Sequence, residues 1–289
     1  MIDNRPLRVT LRSLGLGIML AVSLCLGTTA DIEAGNEGLT VAGSTTLQPV
    51  LARIAREFMK DHPGPSVLVQ GGGSGEGLAA LFNKKADIAS SSRFLSSSEL
   101  DLAHDKRIYP VPFRIADDCI IPITHKTNHL RNLSREELRR VFTGEISNWK
   151  SLGGADQPIK LIARSRESGT HGAWADMVMK RQAMAAGTVS AASSADMVRK
   201  VSRTPGAIGY ISLGHLSASV KPLRVDGVMG SLYTVREGSY ALSRPLFLFT
   251  LGWPDDRSLL LINYALRPEK GQSIVKKMGL VPLYPRLNK

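Results

Sequence analysis

The chain has 289 residues, 43% of them hydrophobic and 21% charged, and 37 Lys and Arg against 25 Asp and Glu give a formal charge of +12. That length carries one large or two medium domains with real cores, and the composition excludes a disordered chain or a multi-span membrane protein. The basic residues are scattered among acids, with no dense run and no interleaved aromatics, so no nucleic-acid motif stands behind the charge.

In chain order, residues 1–30 read as a signal peptide. Arg5, Arg8 and Arg12 form a positive start, Leu14 to Leu26 is apolar but too short to span a bilayer, and Thr28-Thr29-Ala30 offers small residues for cleavage. Leu24 precedes Cys25 where a lipid-attachment site wants a small residue, so lipid anchoring is not expected. Cleavage near Ala30 removes three arginines and one aspartate, taking the charge from +12 to +10, and leaves Cys119 alone in an apolar run. A lone cysteine forms no internal disulfide, and its setting predicts a buried, inert thiol.

Leu39 to Ala42 is then a short strand, followed by Gly43-Ser44-Thr45-Thr46 and a helix carrying Leu47, Val50, Leu51, Ile54 and Phe58. Ser66 to Gln70 is the next strand; the loop Gly71 to Gly77 leads to a helix with Leu78, Leu81 and Phe82. Ala86 to Ala89 is a strand ending in Ser90-Ser91-Ser92-Arg93. Ile108 to Ala116 and Cys119 to Thr124 are extended segments around Asp117-Asp118, and Ser134 with Glu137 is a capping box opening a helix to Phe142. Ile159 to Ala163 is a strand feeding Arg164-Ser165-Arg166-Glu167-Ser168-Gly169-Thr170 and a helix with Trp174, Met177 and Val178. Later elements are a helix from Ser193 to Val201, strands Gly206 to Ile211 and Pro245 to Leu251, and helices Leu259 to Leu266 and Gly271 to Met278. Alternation of strand, small polar loop and helix argues for an α/β fold whose ligands sit beyond the strand carboxyl ends.

The chemistry of these loops is donation. Helix-start amides lack intrahelical acceptors and sit at the positive end of the peptide dipoles, so Ser168, Gly169 and Thr170 beside Arg164 suit a small oxyanion. No Gly-Lys-Ser/Thr closes either glycine stretch, Gly71 to Gly77 lacks dinucleotide spacing, and Glu76 stands where a serine-hydrolase elbow needs glycine. Among the six histidines His125 and His129 are four apart, but Pro122 and the turn at Thr124 to Thr127 argue against a shared helix face, so no metal site is expected and no cofactor is implied. Without a nucleophile–base pair, binding without catalysis is the economical reading.

Seven segments, in order, resemble the periplasmic phosphate-binding proteins of ABC transporters. They are Gly43 to Pro49, Gln70 to Gly75, Ala86 to Arg93, Phe142 to Trp149 with Gly153-Gly154, Arg164 to Thr170, Gly206 to Tyr210, and Ser243 to Leu246. The resemblance implies a two-lobed, type II periplasmic binding protein with its ligand in the cleft between lobes. Lobe 1 would hold residues 39–115 and 223–289, and lobe 2 residues 116–222, with crossings near Val111 to Asp118 and Lys221 to Asp226. It also implies phosphate contacts at Thr45 (hydroxyl), Thr46 (backbone N–H), Ser74, Arg164, Ser168, Gly169 and Thr170. The partners would be phosphate and a membrane permease with its ATPase, for a monomer in the periplasm.

Two positions depart from that family's pattern. Ser92, followed by Arg93, stands where many members carry a strand-end acid that accepts the ligand's proton. The candidate replacement acceptor is Asp117, then Glu76; Arg93 would touch the ligand or brace the cleft. Arg166 stands where an acid often holds the binding arginine, a task left to Glu167. The rival readings are a binder of sulfate, molybdate or phosphonate, a secreted phosphatase-like enzyme using Ser74 or Ser168, and a sensor or adhesin that has kept the fold.

Overall fold

The computed structural model describes residues 38–64 and 66–284. The expected signal peptide and Cys25 lie outside the described residues. Strand β1 (Leu39–Gly43), helix α1 (Gln48–Asp61), β2 (Val67–Gln70), α2 (Ser74–Phe82) and β3 (Ile88–Ser91) follow the expected alternation, then α3 (Ser97–Asp105). The long β4 (Pro110–Thr124) leads to β5 (Asn132–Leu133), α4 (Arg135–Phe142), β6 (Lys160–Arg164) and α5 (Gly169–Met177). After these come β7 (Val189–Ala191), α6 (Ser194–Arg203), β8 (Ala207–Ser212), β9 (Lys221–Pro222) and β10 (Arg224–Val225). The chain ends with α7 (Leu232–Arg236), β11 (Ser243–Leu251), α8 (Asp256–Leu266) and α9 (Gly271–Lys277).

Local chemistry sets many of these boundaries. Ser96 with Glu99, and Ser134 with Glu137, close reciprocal capping boxes at the starts of α3 and α4. The main difference from the sequence reading is at Gly71 to Gly77: helix α2 begins at Ser74, inside the glycine stretch. Gly77 is there for close approach, since a Cβ on it would lie 2.5 Å from both Ala42 O and Gly43 Cα of β1. The glycine packs a helix onto a strand rather than loosening a loop.

The strands run in the order β2-β1-β3-β11-β4-β8-β6-β7, with β9 alongside β4, while β5 and β10 form a separate pair. β1 is parallel to β2 and β3, and β6 is parallel to β7 and β8; the central strands β11 and β4 are antiparallel. β4 pairs with β11 up to Cys119 and with β8 from Ile120. It belongs to both halves of the sheet. The described residues pack as one unit around two main cores. One gathers residues from 39 to 116 and from 246 to 280; the other gathers residues from 119 to 242 together with Val281.

This places the return crossing later than the sequence reading put it. Leu223, Val225, Val235, Tyr240 and Leu242 belong to the second core, so the chain goes back to the first half at Ser243 to Leu246, not at Lys221 to Asp226. The reason is pairing. β9 and β10 bond to β4 and β5 within the second half, whereas β11 pairs with β4, Ser243 opposite Cys119. Both crossings therefore lie side by side in one antiparallel ladder. Cys119 is buried, and burial pushes its thiol pKa up, in line with the inert role expected of it.

Candidate functional site

Three loop-to-helix junctions meet where the two halves face each other. From the first half come the turn after β1, with Thr45 half-buried and Thr46 buried, and the start of α2 at Ser74. From the second comes the start of α5. Ser168 is its N-cap, taking the His171 N–H on its hydroxyl at 3.4 Å, and the next amides, Gly169 and Thr170, have no intrahelical acceptor. Thr46 Oγ1 lies 3.1 Å from Thr170 Oγ1, and the Gly75 N–H donates to Glu167 O at 2.9 Å. Gly169 fits against the first half closely: a Cβ there would stand 2.2 Å from Ser74 Oγ and 2.6 Å from Ser92 Oγ. Thr46, Ser74, Ser92, Ser168, Gly169 and Thr170 are thus brought together.

Arg164 supplies the charge. It ends β6, is 4% exposed, and lies near the α5 start with no carboxylate in ion-pair reach among the described residues. Its Nε donates to Ala191 O at 3.0 Å, one Nη to Ser194 Oγ at 3.3 Å and the other to Ala192 O at 3.1 Å. Of the five donors on a guanidinium, two remain. Burial holds its pKa below the usual arginine value, the penalty of an uncompensated charge away from water. Tyr210, whose own pKa burial raises, accepts the Arg164 backbone N–H at 3.2 Å and stacks flat on Trp174 with ring centroids 4.3 Å apart. The strand and the helix of the site are locked to each other through that ring.

Three expectations need correction, those for Asp117, Glu76 and Glu167. Asp117 is not in the cleft: it faces the other side of β4, taking Arg114 in a bidentate ion pair, because neighbours on a strand point to opposite faces. Asp118 is the buried one. Glu76 is exposed and stands over Gly72. Glu167 does not hold Arg164; three neutral acceptors do. The Thr46 amide donates to Ser44 Oγ at 3.2 Å, and its hydroxyl lies 3.1 Å from that of Thr170. Arg93 is a brace at the cleft mouth, with Glu99 on its guanidinium at 2.6 Å and its side chain against Gly172.

The sequence reading missed a pair. Asp118 on β4 and Arg244 on β11 stand opposite each other in register and form a fully buried ion pair at 2.8 Å. Arg244 also donates to Ser92 O and to Thr170 Oγ1, both at 3.1 Å. The signal was the Asp117-Asp118 doublet in an extended run, where alternation must turn one carboxylate inward. Ser74 Oγ meets Ser92, and Ser168 Oγ meets a backbone amide; neither bonds a histidine ring or a carboxylate among the described residues. Nor do the described residues hold a group of three His, Cys, Asp or Glu able to bind a metal.

Two half-sheets sharing antiparallel crossing strands, with an anion-suited site at helix starts between them, define a periplasmic-type binding protein. Residues 28–261 match the PBP superfamily domain. The phosphate-binding protein PstS of Bacillus subtilis is 30% identical over 253 residues, 87% of this chain and 82% of that protein. The PstS of Borreliella burgdorferi is 29% identical, over 84% of this chain and 89% of its own length. Among solved structures, a phosphate ABC transporter substrate-binding protein from Clostridium perfringens, with bound phosphate, superposes with a TM-score of 0.80 at 30% identity, covering 86% of this chain and all of that one. An ABC-type phosphate transport receptor from Vibrio cholerae gives 0.69 at 27% identity, again over 86% of this chain. The chain belongs to the PstS family of phosphate-binding proteins.

Proposed function

We propose that this protein is the phosphate-binding component of an ABC-type transporter, working outside the cytoplasmic membrane and delivering phosphate to a permease driven by its ATPase. The observation that carries the proposal is Arg164, a buried cation with no carboxylate in ion-pair reach among the described residues, two N–H groups left over from its three bonds, and a place in the chain four residues before the N-cap of α5. Such a charge asks for an anion. A tetrahedral oxyanion meets the guanidinium fork and the amides of Gly169 and Thr170 together. The contacts we assign to phosphate are Arg164, Ser168, Gly169 and Thr170 from one half and Thr45, Thr46 (through its hydroxyl) and Ser74 from the other. Ser92 supports Ser74, and Arg93 braces the rim. We take the two halves as lobes that close on the ligand, the protein acting as a monomer; the named relatives are binding proteins, not enzymes.

A second reading, uptake of another oxyanion such as sulfate, is favoured by one feature: Ser92 stands where an acid would test for the ligand's proton. Uptake by cells separates the two. Deleting the gene should lower phosphate uptake at limiting external phosphate, with recovery from the parent gene but not from Arg164→Gln. Unchanged phosphate uptake with a fall in sulfate uptake would overturn the phosphate assignment.

A further inference from the structure

Arg244 touches three parts of the cleft at once. Its Nε and one Nη donate to Asp118 Oδ2 at 3.0 and 2.8 Å, on the strand shared by both halves. The same Nη donates to Thr170 Oγ1 at the start of α5, and the other Nη to Ser92 O at the end of β3. Four of its five donors are spent across a junction that has to part when the cleft opens. Asp118 is equally committed. Its Oδ1 accepts the Ser212 hydroxyl at 2.8 Å and the Leu213 N–H at 3.1 Å, while Oδ2 accepts both Arg244 bonds. A carboxylate has about four acceptor directions, and these four donors fill them.

We propose that Arg244, pinned by Asp118, is a positioning residue of the anion site, and that Asp118 serves as its counter-ion and not as acceptor of the ligand's proton. The proposal rests on the phosphate reading above. Donation from Arg244 uses a lone pair of Thr170 Oγ1 and leaves the threonine proton to point toward Thr46 or the anion. The bond to Ser92 O fixes the strand end against which Ser74 and Gly169 pack. Opening separates Thr170 from Ser92, so Arg244 must lose a partner, and a bound anion that holds Thr170 in place keeps the set intact. The Asp118 charge cancels that of Arg244, which leaves Arg164 as the net charge the ligand meets.

The test compares the ligand-stripped parent with Arg244→Lys and Asp118→Asn, reading phosphate affinity at pH 6 and pH 8 and the release rate by stopped-flow fluorescence. Lysine keeps the charge but cannot serve three partners in a planar fork. Arg244→Lys should weaken phosphate binding about tenfold or more, mainly through faster release. Asp118→Asn should leave the ratio of affinities at the two pH values as in the parent. Parent-like affinity and release in Arg244→Lys would overturn the positioning role. The titratable groups that feel the Asp118 charge are His215, Cys119 and Tyr240, and His215 is the one whose ordinary range lies near pH 6; a pH ratio that Asp118→Asn changes in a His215→Gln background as well would overturn the counter-ion role. Should a variant fail to fold by circular dichroism, Thr170→Val and Thr170→Ser take its place. The valine should reproduce the faster release and the serine should restore parent behaviour; equal release from both would refute the proposal. A parent that binds no phosphate would refute the functional reading instead.

Discussion

Arg164 is held by the carbonyls of Ala191 and Ala192 and the hydroxyl of Ser194, none of which cancels its charge. If its two free N–H groups reach the anion, each is a charge-assisted bond worth about 1.5–3 kcal/mol. Arg164→Gln should therefore weaken phosphate binding by roughly 10²–10⁴-fold while the ligand-free fold persists, measured by calorimetry and thermal unfolding. Gly169 tests closure at the same scale. Its backbone is helical, so alanine is locally acceptable, but the added Cβ would meet Ser74 Oγ and Ser92 Oγ at 2.2 and 2.6 Å. Gly169→Ala should cost about tenfold or more in phosphate affinity, about 1.4 kcal/mol; parent-like affinity would mean that Gly169 does not approach Ser74 and Ser92 this closely when the ligand is bound. The place of Ser168 and Thr170 at a helix start was legible in the sequence because it is local: a small hydroxyl residue directly before a helical pattern is an N-cap whatever the rest of the chain does.

At the scale of elements, the cage around Arg164 depends on the start of α6. The Asp196 carboxylate accepts the Ala192 N–H at 3.0 Å, and the carbonyl of that same residue accepts from Arg164. Burial pushes the Asp196 pKa up, but bonds from Arg199, the Ala192 amide and Lys200 outweigh it and bring it down to about 2. Between that value and the ordinary 3.8 the unfolded chain binds more protons, so this contribution is full above about pH 4 and is lost as pH falls toward 2. Asp196→Asn should lower the melting temperature at pH 5 and narrow its gap to the parent on acidification to pH 2.5; a gap that stays constant would contradict the assignment. β4 shows where element-level reading from sequence stops. Two extended runs around an Asp-Asp pair look like strands joined at a turn, but pairing with β11 and then β8 makes them one strand, and its alternation sends Asp117 out and Asp118 in. Which aspartate faced the cleft, and that Arg244 stood opposite it, depended on a partner strand 126 residues away in sequence. The sequence pattern carries no record of that register.

For the whole molecule, the alternation of strands, donor loops and helices was enough to expect an α/β fold, while its two halves were expected only from the resemblance of seven segments to a known family. The return crossing was not legible, because β9, β10 and α7 bury their apolar residues in the second core before the chain goes back. Contacts that join the halves at the site among the described residues include Thr46 with Thr170, Gly73 and Gly75 with Glu167, Gly169 against Ser74 and Ser92, Arg93 against Gly172, and Arg244. Polar contacts of this kind let a ligand with differential affinity shift an equilibrium between open and closed arrangements. Phosphate should reduce the radius of gyration measured by small-angle X-ray scattering on the ligand-stripped protein, and an unchanged value would contradict lobe closure. The most direct test of the central claim is calorimetric titration of the ligand-stripped protein with phosphate, beside Arg164→Gln. The expected result is one site per chain with a dissociation constant of about 1 μM or tighter, abolished or weakened at least a hundredfold in the variant. Absence of phosphate binding by the parent, or equal binding by the variant, would contradict it.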